Sequence, residues 1–427
     1  MKNRKIGLGL YVLTIVIGII ITISSMWSVW LYTAGKRDKS RVCYLLNKIA
    51  QLPNSFIKLP AKETVFGVNK SNQKEKLWLN ENYTDTGFVL ISGFDKEYNQ
   101  TVVKLIRPSD KHVINTWMPD IDDLNKRALG KFMPESQRLA NSNFKVMHPF
   151  LTKDTGLIIK GEFGLYKMSK TGNIVWSIDG WHHHSTEEDA DGNLWICGLY
   201  KDKKFDKKLY PNLRDDAIVK ISVDGKVLYK KSVTSLLIEN GYYSLLFGAG
   251  QYEEDITHLN DIQPALYDGP YWKKGDLLIS IRERSTIFLY RPSTNKVLWL
   301  KTGPWMNQHD VNFIDSTRIT VINNYTIRHG DDVLPISNTN QMLFFDFKTN
   351  TIDSPFTKFF KTHNICTATG GRTQLIDDST LFVEESLNGR IFKGTNNQLH
   401  WSYVEIIDNK KVGVLQWSRY YTKLPWQ

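Results

Sequence analysis

The sequence predicts an all-β chain: a six-bladed β-propeller preceded by an N-terminal transmembrane helix. Three observations predict this. Residues 6–32 form an apolar run without a charge, a turn-and-strand phrase returns about six times after residue 78, and histidines recur in step with that phrase. Composition sets the outer limits. With 427 residues, 12% aromatics and 13 Trp, the chain is too rich in large apolar side chains for disorder. A net charge of +11 without a long basic block does not read as a nucleic-acid arm, so no nucleic-acid partner is expected. Cys43, Cys197 and Cys366 lie far apart, without CxxC spacing. That argues against a zinc ribbon, a thioredoxin motif and a dense disulfide scaffold, and leaves one disulfide with a spare thiol open.

The N-terminal run is long enough to span a bilayer, which takes roughly 20 apolar residues. Trp27, Trp30 and Tyr32 sit at its far end, where amphipathic rings favour the membrane interface. The rival is a cleaved signal peptide, whose apolar region is usually about 7–15 residues with small residues at the cleavage site. Tyr32-Thr33-Ala34-Gly35 suits that poorly. The run is therefore read as an uncleaved single-pass anchor: 1–35 cytoplasmic tip and anchor, 36–77 juxtamembrane linker, 78–427 propeller. Lys2, Arg4 and Lys5 before the span nearly balance Lys36, Arg37, Lys39 and Arg41 after it, the latter offset by Asp38. The usual habit of uncleaved anchors places the propeller on the extracytoplasmic side. Val42, Leu45, Leu46, Ile49 and Leu52 have helical spacing and predict a short helix ending before Pro53.

From Trp78 onward short β-rich runs alternate with polar turns. The recurring phrase is a polar turn followed by a strand that often ends in Trp. It reads Asp110-Lys111-His112-Val113-Ile114-Asn115-Thr116-Trp117, then Thr171-Gly172-Asn173-Ile174-Val175-Trp176, then Asp224-Gly225-Lys226-Val227-Leu228-Tyr229. It continues as Thr294-Asn295-Lys296-Val297-Leu298-Trp299, a degenerate Thr349-Asn350-Thr351-Ile352, and Asn396-Asn397-Gln398-Leu399-His400-Trp401. A repeated turn and aromatic in one register indicate propeller blades, the phrase being each outer hairpin. Insertions at 201–212 and 262–274 account for the uneven period.

Residues that follow each phrase and start the next inner strand face the channel. There stand His148, the triplet His182-His183-His184, Thr257-His258-Leu259-Asn260, and Gln308-His309-Asp310. His184 and His309 have similar offsets from their following strands, and His258 matches once its insertion is allowed for. One histidine in a β protein is usually a surface or satisfied residue. Several in one repeat register converge on one mouth of the channel, where imidazoles serve as nucleophile, acid and base near neutral pH. Apart from Asp310 and Asp261 the register lacks carboxylate or thiolate partners, so no metal is expected. Arg282, at the end of an inner strand, faces the same channel, whereas Arg284 reads as solvated. An arginine among histidines suits a tetrahedral oxyanion such as sulfate or phosphate, and the positive net charge would steer an anion there.

The segments His258-Leu259-Asn260, Ser280-Ile281-Arg282 and Gln308-His309-Asp310, in this order, resemble the arylsulfotransferase (arylsulfate sulfotransferase-like) family. Gly370-Gly371-Arg372-Thr373-Gln374-Leu375, Leu381-Phe382-Val383-Glu384-Glu385, Gly389-Arg390-Ile391-Phe392, Trp401-Ser402-Tyr403 and Arg419-Tyr420 resemble its last blade. The likeness covers the chain from about His148 onward. It implies a six-bladed enzyme that moves a sulfuryl group from an aryl sulfate to a phenolic or other hydroxyl acceptor, independently of the nucleotide sulfate donor PAPS, with no cofactor, through a sulfohistidine. Carried over by motif, His309 is the nucleophile, and His258 and His184 are acid/base or sulfate-orienting groups. Asn260 and Arg282 hold the sulfuryl oxygens, and His183 is the alternative to His184 within the triplet. Two family features are missing: a disulfide beside the nucleophile, and a separate N-terminal β-domain, in whose place an anchor and linker are expected.

The alternative from another class is a non-catalytic, membrane-anchored propeller that binds a protein or glycan. A quinone-dependent dehydrogenase propeller would need metal-binding carboxylates and a Trp docking repeat that the sequence does not show. Asn69, Asn82, Asn99 and Asn324 begin N-x-S/T triplets. No feature sets an oligomeric state.

Overall fold

The computed structural model describes residues 2–33, 65–128, 144–161, 164–200, 205–206, 208–248, 250–329 and 332–427. Two compact units divide between Glu63 and Thr64. The first contains the helix Lys2–Thr33. Its described side chains, 11–27, are almost all exposed, among them Tyr11, Ile20, Ile21 and Ile23. Thr22 and Ser25 return their hydroxyls to the carbonyls of Gly18 and Ile21, so neither hydroxyl hydrogen is free. Among the described residues no helix is long and apolar enough to cross a membrane. The helix expected before Pro53 lies outside the described residues, as does Cys43.

The second unit is a six-bladed β-propeller. Blade 1 runs from Phe88–Asp95 through Gln100–Arg107 to His112–Trp117, and the C-terminal strand Arg419–Tyr421 is its innermost member. Blades 2, 3 and 4 are uninterrupted four-stranded meanders that start at Met147–Leu151, His182–Glu188 and Leu259–Pro264. Blade 5 starts at His309–Phe313 and carries an inserted hairpin, Thr326–His329 with Asp332–Pro335. Blade 6 starts at Arg372–Leu375, ends at Leu399–Val404, and gains Leu77–Leu79 as a fifth, outermost strand. The ring is therefore closed by both flanks of the propeller sequence. Phe66–Val68 pairs with Lys411–Gly413, so the unit takes in residues that the sequence reading assigned to the linker 36–77.

All six phrases fall where expected, at the turn into each blade's outer hairpin strand. The structure supplies the reason they repeat. Lys111, Gly172, Gly225, Asn295 and Asn350 all have positive φ just before that strand, a conformation Gly and Asn adopt most cheaply. The aromatic at the strand's end braces the neighbouring blade. Trp117 donates its indole N–H to the Ser169 carbonyl at 3.1 Å, and Trp176 does the same to Val223 at 3.0 Å. Tyr229 meets the Tyr290 hydroxyl at 2.9 Å, and Trp299 stacks on Phe345. Trp401 reaches across the closure to Asp85 at 2.7 Å.

The apolar core is correspondingly distributed. One hydrophobic wedge fills each interface between neighbouring blades: Leu90, Trp117 and Ile159 between blades 1 and 2, for instance, and Phe382, Trp401 and Val89 between 6 and 1. Each fully buried large side chain there contributes about 1.5–3 kcal/mol. Because the wedges sit between blades, the axis is left to polar side chains, and those form the site. The insertions read from the sequence fall between the strands Leu194–Leu199 and Asp216–Ile221 and between Leu259–Pro264 and Leu277–Ile281, and further ones lie elsewhere. These further ones are the helix Ile121–Ala128 after blade 1, the helices Val233–Glu239 and Tyr243–Phe247 before blade 4, and the blade 5 hairpin.

Candidate active site

In blades 2 to 5 the inner strand starts with a break in its ladder. Register shifts occur between Met147 and Phe150, His183 and Thr186, Leu259 and Asp261, and His309 and Asn312. A left-handed residue stands within three of these breaks, His148 (φ 47°), His184 (48°) and Asp310 (55°), and just before the fourth, His258 (46°). Side chains with a Cβ rarely accept this conformation, and such residues concentrate at functional sites. The bulges re-aim consecutive side chains to different depths of the channel. His309 occupies the ladder position that His183 has in blade 3, one residue before the left-handed one, so the similar offsets inferred for His184 and His309 differ by one residue in the ladder.

The re-aiming brings the imidazoles together. The ring of His184 lies 5.1 Å from that of His258 and 6.4 Å from that of His309. Trp417 forms a wall 6.1 Å from His184, 6.2 Å from His309 and 4.4 Å from His148. His148, His184, Arg282, His309, Gly370 and Trp417 line one cavity of about 200 Å³. Arg282 is buried, and its backbone N–H bonds the His258 carbonyl at 3.1 Å, which fixes it to the same blade start.

Hydrogen bonds assign the tautomers. The amide nitrogen of Asn324 donates to the carbonyls of Thr367 and Gly370, so its Oδ1 accepts from His309 Nδ1 at 2.7 Å. His309 therefore carries its proton on Nδ1 and keeps a lone pair on Nε2, where the Gly370 N–H approaches to 3.3 Å. His258 donates Nδ1–H to the Asp255 carboxylate at 2.6 Å. His183 uses Nε2–H on the Gly198 carbonyl, so its Nδ1 accepts from His184 Nδ1–H at 2.8 Å. His184, His258 and His309 thus all hold the proton on Nδ1 and have Nε2 as the lone-pair nitrogen.

Burial keeps these rings neutral at pH 7. His309 is pushed down to about 3 by desolvation, with the Arg282 cation adding to it. His184 is held well below the usual imidazole range by burial and its His neighbours. His258 is lowered by burial, while its bond to Asp255 pulls the other way, so it is the ring with built-in support for a proton. Asp255 itself is held below the usual carboxylate range by His258 and Arg214, against its burial.

Beneath the mouth lies a second tier that laces the blades. Backbone N–H groups at one blade's start bond a side chain of the blade before it. Thr186 N–H bonds His148 Nδ1 at 2.9 Å, Leu259 bonds Asp216 at 2.6 Å, and Val311 bonds Asp261 at 2.8 Å. Thr373 bonds Asp310 at 2.6 Å, and Trp417 bonds Glu384 at 3.0 Å. Lys160, fully buried, caps the Ser185 carbonyl at 2.8 Å and is lowered to about 7 by burial. Arg419 pairs with Glu187 at 2.9 Å.

Of the residues singled out from sequence, His184, Arg282 and His309 line one cavity, and His258 adjoins them. His183 stands behind His184 as its acceptor. Asn260 is fully buried and does not line the cavity. It donates to the Gln308 carbonyl at 2.6 Å and so ties down the residue before His309. Asp310 and Asp261, weighed as metal ligands, serve the lacing instead, and among the described residues no group of three or more His, Cys, Asp or Glu is placed to hold a metal ion. Cys197 and Cys366 are unpaired thiols. Sequence reasoning missed Asn324, Asp255, Gly370 and Trp417. Asp255 left a local trace three residues before His258, and Gly370 stands in a segment that resembles the family's last blade.

A model of the arylsulfotransferase (ASST) family matches residues 154–405. No curated protein sequence matches the chain. Among solved structures, a protein of unknown function from Bacteroides caccae has 10% identity and a TM-score of 0.49, covering 79% of this chain and 100% of its own. The Neurospora crassa Pan2 WD40 domain has 11% identity and a TM-score of 0.41, with 76% and 82% covered. A streptogramin B lyase has 13% identity and a TM-score of 0.39, with 77% and 87% covered. Likeness at this level says nothing of function.

Proposed function

Taking as premise that the chain belongs to the arylsulfotransferase family, we propose that it transfers a sulfuryl group from an aryl sulfate to a phenolic or other hydroxyl acceptor, independently of PAPS, through a sulfohistidine at His309. The observation that carries this reading is the tautomer of His309. Its Nδ1–H is committed to Asn324, and its Nε2 lone pair belongs to a ring that stays neutral and lines a cavity with a guanidinium. A neutral imidazole is a competent nucleophile.

In the first half-reaction Nε2 of His309 attacks sulfur, the N–S bond forms and the aryl S–O bond breaks. The electron pair leaves on the phenolate oxygen, which takes a proton from His258. His258 acquires that proton when the donor's negative charge arrives, and Asp255 stabilises the imidazolium as the carboxylate of a triad does. In the second half the acceptor hydroxyl returns a proton to His258, its oxygen attacks sulfur, and the N–S pair returns to Nε2. Positive charge on the sulfated ring is supported by Asn324 at Nδ1–H. Arg282 and the Gly370 N–H stabilise charge on the sulfuryl oxygens, the chief requirement of such transfers. Trp417 supplies a flat face for the aryl group. Asn260 acts here by fixing Gln308, and through it His309.

The N-terminal helix is proposed as a single-pass membrane anchor over 6–32, with the propeller on the extracytoplasmic side. Support comes from its exposed apolar side chains and its internally bonded hydroxyls, which suit hydrocarbon better than water. The enzymatic reading is tested by incubating the full chain in detergent with an aryl sulfate and following phenol release with and without an acceptor phenol. Acceptor-dependent release that His309→Ala abolishes supports it. No release with any donor overturns it in favour of a binding propeller.

A further inference from the structure

Arg282 is the guanidinium that lines the cavity with the imidazoles, yet its charge is not free. Its Nε donates to Glu283 Oε1 at 3.2 Å, and its Nη2 contacts the same oxygen. The Glu283 side chain is only 7% exposed. An arginine bound this closely to a buried carboxylate presents an oxyanion with a nearly neutral pair, and a neutral pair stabilises little developing charge.

A third residue restores the balance. Arg328 Nη1 stands 3.3 Å from that same Glu283 oxygen. The cluster Arg282–Glu283–Arg328 therefore sums to one positive charge instead of zero. Arg328 belongs to the hairpin inserted in blade 5, whose strands pair only with each other. The hairpin grows out of the site itself. It starts two residues after Asn324, which orients His309, and its base is fixed by Asn307 Nδ2 on the Thr326 carbonyl at 2.7 Å and by Ile336 N–H on the Tyr325 carbonyl at 2.9 Å. One insertion thus leads from the group that orients the nucleophile to the group that offsets the carboxylate on Arg282.

We propose that Arg328 is a positioning residue for sulfuryl binding: by offsetting Glu283 it leaves the charge of Arg282 available to the oxyanion. Arg328 is half-exposed and acts through Glu283, not by touching substrate. This deepens the sulfotransferase reading and rests on it for the identity of the oxyanion.

The test uses the full chain in detergent and two readouts: steady-state phenol release from an aryl sulfate, and binding of inorganic sulfate by calorimetry. Arg328→Gln is expected to raise the donor KM up to about fivefold with a smaller change in kcat, the scale of one solvent-screened charge at this range. Arg328→Lys should stay within about threefold of wild type, because Lys carries the charge without the fork. The double variant Glu283→Gln/Arg328→Gln should bring KM back toward wild type, since the carboxylate to be offset is gone. A merely structural Arg328 would give additive losses. Sulfate affinity should follow the same order. An active enzyme with unchanged KM in Arg328→Gln, or no recovery in the double variant, overturns the inference and leaves the sulfotransferase reading standing. A wild type that releases no phenol yet loses and regains sulfate affinity across the three variants overturns that reading and leaves the charge relay standing. A wild type with neither phenol release nor a variant-dependent sulfate affinity overturns both.

Discussion

His309 and Asp310 are adjacent in sequence and belong to different parts of the machine. His309 is at the mouth, with a neutral ring and an Nε2 lone pair beside Arg282. Asp310 lies one level down and accepts both the N–H and the hydroxyl of Thr373, which ties blade 5 to blade 6. The same division runs round the ring. At the mouth His184, His258 and His309 each hold the proton on Nδ1, and axis residues spend their polar atoms on the next blade's backbone. Left-handed residues at the strand starts create the division, because each turns neighbouring side chains toward different levels. A propeller can therefore hold reactive groups rigidly without asking them to hold the fold.

If the tiers are distinct, substitutions should separate activity from stability. The largest effect is expected from His309→Ala, a loss of at least about 10⁴-fold in phenol release with little change in melting temperature. A large fall in melting temperature would merge the tiers. Asn324→Ala frees the His309 ring to turn and should cost about 10²-fold in kcat, the usual scale for a misplaced catalytic group. Asp310→Ala leaves the Thr373 donors unpaired in a buried place and should destabilise the propeller by about 1–3 kcal/mol in urea unfolding. Its donor KM should move less than in any mouth variant.

The two tiers also differ in their response to pH. His309 titrates at about 3, so with a good leaving phenol, which needs no acid, kcat/KM should be flat from about pH 5 to 8. With a poor leaving phenol it should fall as pH rises, by up to about tenfold per unit, because His258 must be protonated and its affinity for a proton lies below the usual imidazole value. Equal profiles for the two donors would remove His258 from the acid role. For stability the sign is opposite. His148, His184 and His309 have depressed folded-state values, so the unfolded chain binds more protons once pH drops below about 6.5. Their contribution is intact above that pH and is lost progressively as pH falls toward 3.

The blade count was legible in the sequence because each outer hairpin needs two things that show locally: a residue that tolerates positive φ before the strand, and an aromatic long enough to brace the next blade. Gly172 with Trp176, and Asn295 with Trp299, display both. The histidines were legible for the same reason, being placed by the repeat. The depth of each side chain was not. It is set by the bulges, and nothing in Gln308-His309-Asp310 tells which residue is left-handed. Asn260 read as a sulfate ligand and proved to anchor Gln308, since HxN looks the same whether its Asn meets a ligand or a neighbouring carbonyl. Asn324 was hidden because it lies beyond the strand that follows His309, and its partnership exists only in three dimensions.

One imidazole at the mouth, His309, is proposed to carry the sulfuryl group between donor and acceptor. The direct measurement is intact mass and peptide mapping of the full chain after exposure to an aryl sulfate without acceptor. The expected result is a single sulfuryl adduct on His309 that disappears when an acceptor phenol is added. An adduct on another residue, or phenol release from wild type with no adduct trapped on a rapid timescale, would contradict it.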